Sequence, residues 1–185
     1  MAPKMKVSKE DILSAAFSLV SRQGIEALNA RAIAKELDCS TQPIFSNFSS
    51  MAQIHTEVYV RAQRLCIEYI EEEVNRGIYP HYKASGMGYI RFAEEESRLF
   101  KLLYLNGPVT EQTPEDGVLW DTMVERADDT AHVGERAGLF HFEMWAAVHG
   151  IATMLATKFL TLDRETVSQT LTDLFLGLKK QYGEE

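Results

Sequence analysis

The residues of this chain best suited to chemistry lie in one short window, 29–48, which reads N-A-R-A-I-A-K-E-L-D-C-S-T-Q-P-I-F-S-N-F. The chemistry they offer is recognition rather than bond-making. Gln42 has an amide that pairs in bidentate fashion with adenine, and Thr41 brings a hydroxyl and a methyl to a base edge or a phosphate. The window has the outline of a helix-turn-helix. Asn29 is a good N-cap for a short helix through Ile33, Ala34 and Leu37, and Asp38-Cys39-Ser40 makes a tight turn. A second short helix begins at Ser40 or Thr41, with Pro43 tolerated in its first turn. In such a motif the first helix braces against the backbone and the second enters the major groove. Ile33, Ala34 and Leu37 are expected to meet Ile44 and Phe48 in the core, with Thr41 and Gln42 turned outward. Taken alone, the window also fits the exposed first turn of an ordinary surface helix.

Other chemistries find less support. His141, Glu143 and His149 invite a metal, but a spacing of two sends His141 and Glu143 to different helix faces, and no ligand set of known spacing is present. Structural histidines are the preferred reading, with no metal and no cofactor expected. A carboxylate-bridged di-iron bundle needs Glu-x-x-His pairs, and the chain has none. A Gly-rich phosphate loop, a nucleophile elbow and a Cys/His nucleophile setting are also missing, so an enzyme is not expected. The acidic runs at 71–73 and 94–96 read as solvated helix faces.

The elements that must position the window are helical almost throughout. Ser8 caps a first helix whose Ile12, Leu13, Ala16, Phe17 and Val20 share a face, and Gly24 ends it. A long helix is predicted over 51–76, then helices over 82–96 and 97–106, the latter stopped by Gly107-Pro108. Residues 110–117 read as a loop. Helices over 118–131, 137–161 and 164–181 complete the chain, the last capped by Asp163. The expected fold is all-α: a three-helix N-terminal helix-turn-helix domain (1–50) joined by a long helix to a helical bundle (51–185) for ligand binding and dimerisation.

Charge and composition are compatible with that plan. The 185 residues carry a net charge of -8, but residues 1–50 hold six Lys or Arg against five Asp or Glu, so the acidity belongs to the remainder. DNA contact is therefore expected only through the head. Cys39 and Cys66 sit far apart, as small hydrophobes in a reducing cytoplasm. The apolar run 139–160 is broken by His141, Glu143, His149 and Lys158, which are expensive in hydrocarbon; it reads as a buried bundle helix rather than a membrane span.

A wider pattern is more specific than any single window. Ile12-Leu13-x-Ala15-Ala16-Phe17-x-Leu19-Val20 is followed by Gly24-Ile25-Glu26-Ala27, Arg31-x-Ile33-Ala34-Lys35-Glu36-Leu37, Ser40-Thr41-Gln42-Pro43-Ile44-Phe45 and Phe48. Over about the first 60 residues this resembles the TetR (tetracycline-repressor-like) family. Trp145-Ala146-Ala147-Val148-His149-Gly150, with Tyr89-Ile90-Arg91-Phe92 and Leu99-Phe100-Lys101-Leu102, is similar to the Trp-His-Gly type of C-terminal domain found in part of that family. The resemblance implies a cytoplasmic homodimer, usually a repressor, that binds a palindromic double-stranded operator and answers to a small-molecule effector held in the C-terminal domain. It also implies base-facing positions at Thr41, Gln42 and Pro43, and a position near the backbone or base edges at Arg31. With Ser40, Phe45, Ser46 and Asn47 these make up the expected DNA-contacting set. Phe45 stands where the family usually has Tyr, and Met51 where it usually has Lys, which removes two phosphate partners. Ser46 and Asn47 are expected to supply neutral phosphate contacts in their place. Asp38 replaces the usual turn glycine, and Asp tolerates left-handed geometry better than most residues.

In the C-terminal part, Phe100, Tyr104, Trp120, Trp145 and His149 are the candidate effector-lining residues, aromatic with polar tips. Val167, Leu171, Leu174 and Leu178 recur at alternating steps of four and three, a seam that fits an intramolecular core and half of a dimer interface equally well. Gly150 and Gly177 lie within these helices and offer close helix approach. Two further readings stay open beside the ligand-responsive regulator: a helical small-molecule binder that has lost DNA affinity, and an all-α enzyme using His149 or the pair His141 and Glu143.

Overall fold

The computed structural model describes residues 7–105 and 114–182. Nine helices occur among these residues: α1 (Lys9–Gln23), α2 (Ala30–Glu36), α3 (Gln42–Asn47), α4 (Met51–Asn75), α5 (His81–Glu95), α6 (Ser97–Tyr104), α7 (Pro114–Ala131), α8 (Ala137–Ala156) and α9 (Arg164–Tyr182). No strand occurs among the described residues, in keeping with the all-α expectation. The chain divides into two compact units, residues 1–65 with 98–106, and residues 66–97 with 107–185.

In the first unit, Ser8 and Asp11 cap α1 reciprocally. The Asp11 N–H donates to Ser8 Oγ (3.1 Å) and the Ser8 N–H to Asp11 Oδ2 (2.9 Å). Ile12, Leu13, Ala16, Leu19 and Val20 form the buried face of α1, and Gly24, at φ +91°, ends the helix. Helices α2 and α3 pack on α1. The first part of α4 buries Ile54, Val58 and Ala62 and is tied to α1 by Lys9–Glu57 (3.1 Å) and Arg61–Glu10 (2.6 Å).

The second unit is built on α5 and α8, flanked by α7 and α9. Helix α5 comes close to α4 at Gly88, where an added Cβ would lie 2.7 Å from Ile70 Cα and from the Tyr69 carbonyl oxygen. Only glycine lets α5 lie that near the end of α4. Glu73 is fully buried, against the expectation of a solvated acidic face. Glu73 falls on the inner stripe of α4 with Cys66, Ile70 and Val74, while Glu71 and Glu72 lie off it. The Glu73 carboxylate pairs with Arg164 and with Arg76 (3.0 Å), and Arg91 Nε stands 4.0 Å away.

Helix boundaries differ from expectation in two places. Helix α7 begins at Pro114 rather than 118, because proline's missing N–H is not needed in a first turn. The stop at 107–108 and loop residues 110–113 lie outside the described residues. Helix α8 ends at Ala156 rather than 161. Lys158 adopts φ +58°, and the Phe159 and Lys158 N–H groups close back on the Met154 and Leu155 carbonyls at 2.9 and 3.0 Å. Helix α9 starts as expected, with the Thr166 N–H donating to Asp163 Oδ1 (2.7 Å).

The seam along α9 divides in two. Val167 and Leu171 are buried in the protomer's own core, and Leu178 is half-buried against the cluster of Tyr82, Phe140, Met144 and Tyr182; only Leu174 is exposed. The four positions fall on one helix face, so their different burial comes from how α9 packs on α8, not from the helical period. Gly150 and Gly177 have nothing within 4 Å of their Cβ positions, so neither serves a helix contact within the chain.

Polar side chains also enter this core. The Tyr82 hydroxyl lies 2.9 Å from His141 Nδ1, and both rings are buried. Burial pushes the His141 imidazole down to about 4 and raises the Tyr82 hydroxyl. At neutral pH the imidazole is therefore uncharged, and the two rings share one neutral hydrogen bond.

Two outcomes follow for stability. Gly88→Ala should push α5 off α4 and lower the melting temperature by several degrees, about 1–3 kcal/mol for an overpacked contact, measured by thermal denaturation. An unfolded chain takes up a proton at His141 near pH 6.5, which the folded chain refuses until about pH 4. Stability from this group is thus full above the unfolded value and is lost as the pH falls through that window. The melting temperature of His141→Gln should fall less steeply than wild type between pH 6.5 and 4.

Candidate functional site

The helix-turn-helix is built from local hydrogen bonds. Asn29 Oδ1 accepts from the Ala32 N–H (3.0 Å) and starts α2. After Leu37 the chain turns through Asp38 at φ +47°, and the Cys39 and Asp38 N–H groups close on the Ala34 and Lys35 carbonyls at 2.9 and 3.3 Å. Asp38 thus takes the left-handed conformation expected of it. Thr41 is the N-cap of α3, but its hydroxyl makes no capping bond. Ile44 and Phe48, at 0% and 2% exposure, pin α3 into the first unit, while Ile33 and Ala34 bury the inner face of α2. Leu37 is half-buried.

That anchoring decides which side chains face outward. Arg31, Ser40, Gln42, Phe45, Ser46 and Asn47 are exposed, while Thr41 and Pro43 are half-buried. Ser46 donates its hydroxyl proton to the Gln42 carbonyl (2.9 Å), and Asn47 Nδ2 donates to the Pro43 carbonyl (2.8 Å). Ser46 therefore has no proton left for a phosphate, and Asn47 keeps one. Helix α3 carries no charge. The cations nearest in sequence are Arg31 and Lys35 on α2, and neither forms an ion pair among the described residues. Lys9 and Arg22 are held by Glu57 (3.1 Å) and Glu36 (2.8 Å).

A second cluster lies in the other unit, where α5 and α8 are joined by two similar rungs. Beside Tyr82 and His141, the Tyr89 hydroxyl lies 2.8 Å from His149 Nδ1, and burial lowers the His149 imidazole as well. Trp145, between the two histidines on α8, stacks on His149 with centroids 5.0 Å apart. Trp120 of α7 meets His141 edge-on at 4.6 Å and Trp145 at 6.3 Å. The cluster is aromatic, uncharged at neutral pH and supplied with ring N–H groups. Trp120, Trp145 and His149 are thus brought together as candidates. Phe100 and Tyr104 belong to the first unit, where their rings contact each other at 5.0 Å. Tyr82, Tyr89 and His141 were not among the expected lining residues. The signal was present as aromatic residues about two turns apart on each of two predicted helices. Glu143 accepts from the Tyr182 hydroxyl (2.8 Å), so it and His141 engage different partners.

Comparisons with known proteins agree with this layout. Residues 12–58 match the family described as bacterial regulatory proteins, tetR family, and residues 82–175 match the tetracyclin repressor-like C-terminal domain. No curated protein matches the chain. Among solved structures, it is similar to a TetR-like transcriptional regulator from Rhodococcus sp. RHA1, at 15% identity over 95% of this chain and 96% of that one, with a TM-score of 0.67. A protein of unknown function from the same organism superposes with a TM-score of 0.76 at 18% identity, covering 100% of both chains. The chain belongs to the TetR family of bacterial regulatory proteins and is a DNA-binding transcriptional regulator rather than an enzyme.

Proposed function

We propose that this regulator is a homodimeric repressor that reads a palindromic operator with α3 and releases it when a small molecule enters the C-terminal unit. The observation that carries the proposal is the outward Gln42 on a helix anchored by the buried Ile44 and Phe48. An amide held on a rigid support has the geometry for bidentate pairing with adenine. Arg31, Ser40, Thr41, Pro43 and Phe45 complete the contacting surface, with Asn47 offering its remaining amide proton to a phosphate.

Dimerisation is supported by apolar surface on the last two helices. Leu139 and Phe142 of α8 are half exposed (50% and 51%), and Ala146 and Gly150 continue their stripe. On α9, Leu174 and Gly177 are exposed one turn apart. The open Cβ positions of Gly150 and Gly177 suit the close approach of a second copy. Two-fold pairing there would set two heads on half-sites about 34 Å apart or more. The effector is assigned to the cluster of Trp120, Trp145 and His149, whose uncharged aromatic walls favour an uncharged planar molecule.

A second reading, a small-molecule binder with lost DNA affinity, is favoured by the absence of any cation on α3. Selection of genomic fragments by the purified full-length chain under competitor DNA separates the two. Recovery of one short palindrome is expected; recovery of nothing above background from a folded dimer supports the second reading. Gln42→Ala should relax base preference at one position per half-site, at a cost of about 1–3 kcal/mol read from competition binding. Phe142→Glu with Leu174→Glu should give a folded monomer by sedimentation that no longer retains the palindrome. A dimer that survives both charges would move the interface elsewhere.

A further inference from the structure

Among the described residues of 7–65, Phe45 is the one large apolar side chain that is exposed, at 54%. Every other bulky apolar group there is at least half-buried. Phe45 stands on α3, three residues after Gln42, so the two share a helix face with Cβ atoms about 5–6 Å apart. The phenyl ring has no atom for a phosphate oxygen or a base-edge donor. What the major groove offers such a ring is the C5-methyl of thymine, the one apolar group displayed on a base edge there.

The geometry points to Phe45 as a specificity-determining residue that contacts a thymine methyl in each half-site. Base steps along one strand are about 3.4 Å apart, so that thymine lies one or two steps from the adenine paired with Gln42. The pairing divides the work on α3 between one hydrogen-bonding and one apolar reader. Ser46, on the next position, spends its hydroxyl proton on the Gln42 carbonyl. The inference rests on α3 reading DNA as proposed above.

The experiment replaces thymines of the selected operator, one position at a time in both half-sites, with deoxyuridine, which keeps base pairing and removes only the methyl. Losing one buried methyl contact should weaken wild-type binding about fourfold per half-site, or about fifteenfold for both, at a single position near the Gln42-dependent adenine. Phe45→Ala, whose side chain is exposed and whose helical signal should be unchanged, should bind the thymine and deoxyuridine operators equally and keep the adenine preference. Equal wild-type affinity for every deoxyuridine operator, with specific binding retained, overturns the role of Phe45 and leaves the DNA-reading proposal standing. A uniform loss in Phe45→Ala with no methyl dependence also overturns it, by assigning the ring to the sugar-phosphate backbone. Failure to select any sequence overturns the reading beneath it, and this inference with it.

Discussion

Ile44 and Phe48 are the two side chains on which the surface proposed to read DNA depends. A helix of six residues has no stability of its own, since nucleation costs more than so few hydrogen bonds return. Helix α3 persists because burying those two residues fixes its inner face against the first unit. Its outer face, Gln42, Phe45, Ser46 and Asn47, is then determined by the helical period alone. The Asp38 turn sets where α3 starts. A residue at φ +47° lets the carbonyls at the end of α2 be satisfied before the chain reverses.

The C-terminal unit solves a different problem with polar rings. Two histidines in a helix as apolar as α8 would cost stability if charged and unpaired. Burial keeps them neutral, and each finds a tyrosine hydroxyl on α5. The two rungs fix α5 against α8 in register, while Trp120 and Trp145 close over the same rings. Glu73 follows the same rule: as a buried carboxylate it is matched by arginines from α5, α9 and the turn after α4.

Much of the architecture was legible in the residues, for local reasons. Ser8, Gly24, Asn29 and Asp163 mark helix ends with signals that act within four residues, and all four do so in the structure. The outward set on the helix-turn-helix followed from burying Ile33, Ala34, Ile44 and Phe48. What sequence reasoning missed depends on tertiary placement. The 167–178 seam looked uniform, yet Val167 and Leu171 face the core while Leu174 faces out, which only the packing of α9 on α8 decides. The partner of His141 lies 59 residues earlier, beyond the reach of any spacing rule. Ser46 and Asn47 are expected at phosphates; Ser46 spends its proton on the Gln42 carbonyl and Asn47 one of its two on the Pro43 carbonyl, rotamer choices that type and position leave open.

The central claim is that this regulator selects its operator chiefly by uncharged contacts from α3, with Arg31 and Lys35 as the cations of the helix-turn-helix that form no ion pair among the described residues. The salt dependence of affinity for the selected operator tests it most directly, because each neutralised phosphate contributes about −0.9 to the slope of log affinity against log salt. If the chain pairs as proposed, two such cations on each of two heads predict a slope of about −4. A slope of about −8 or steeper would contradict the account and assign most of the binding to charge.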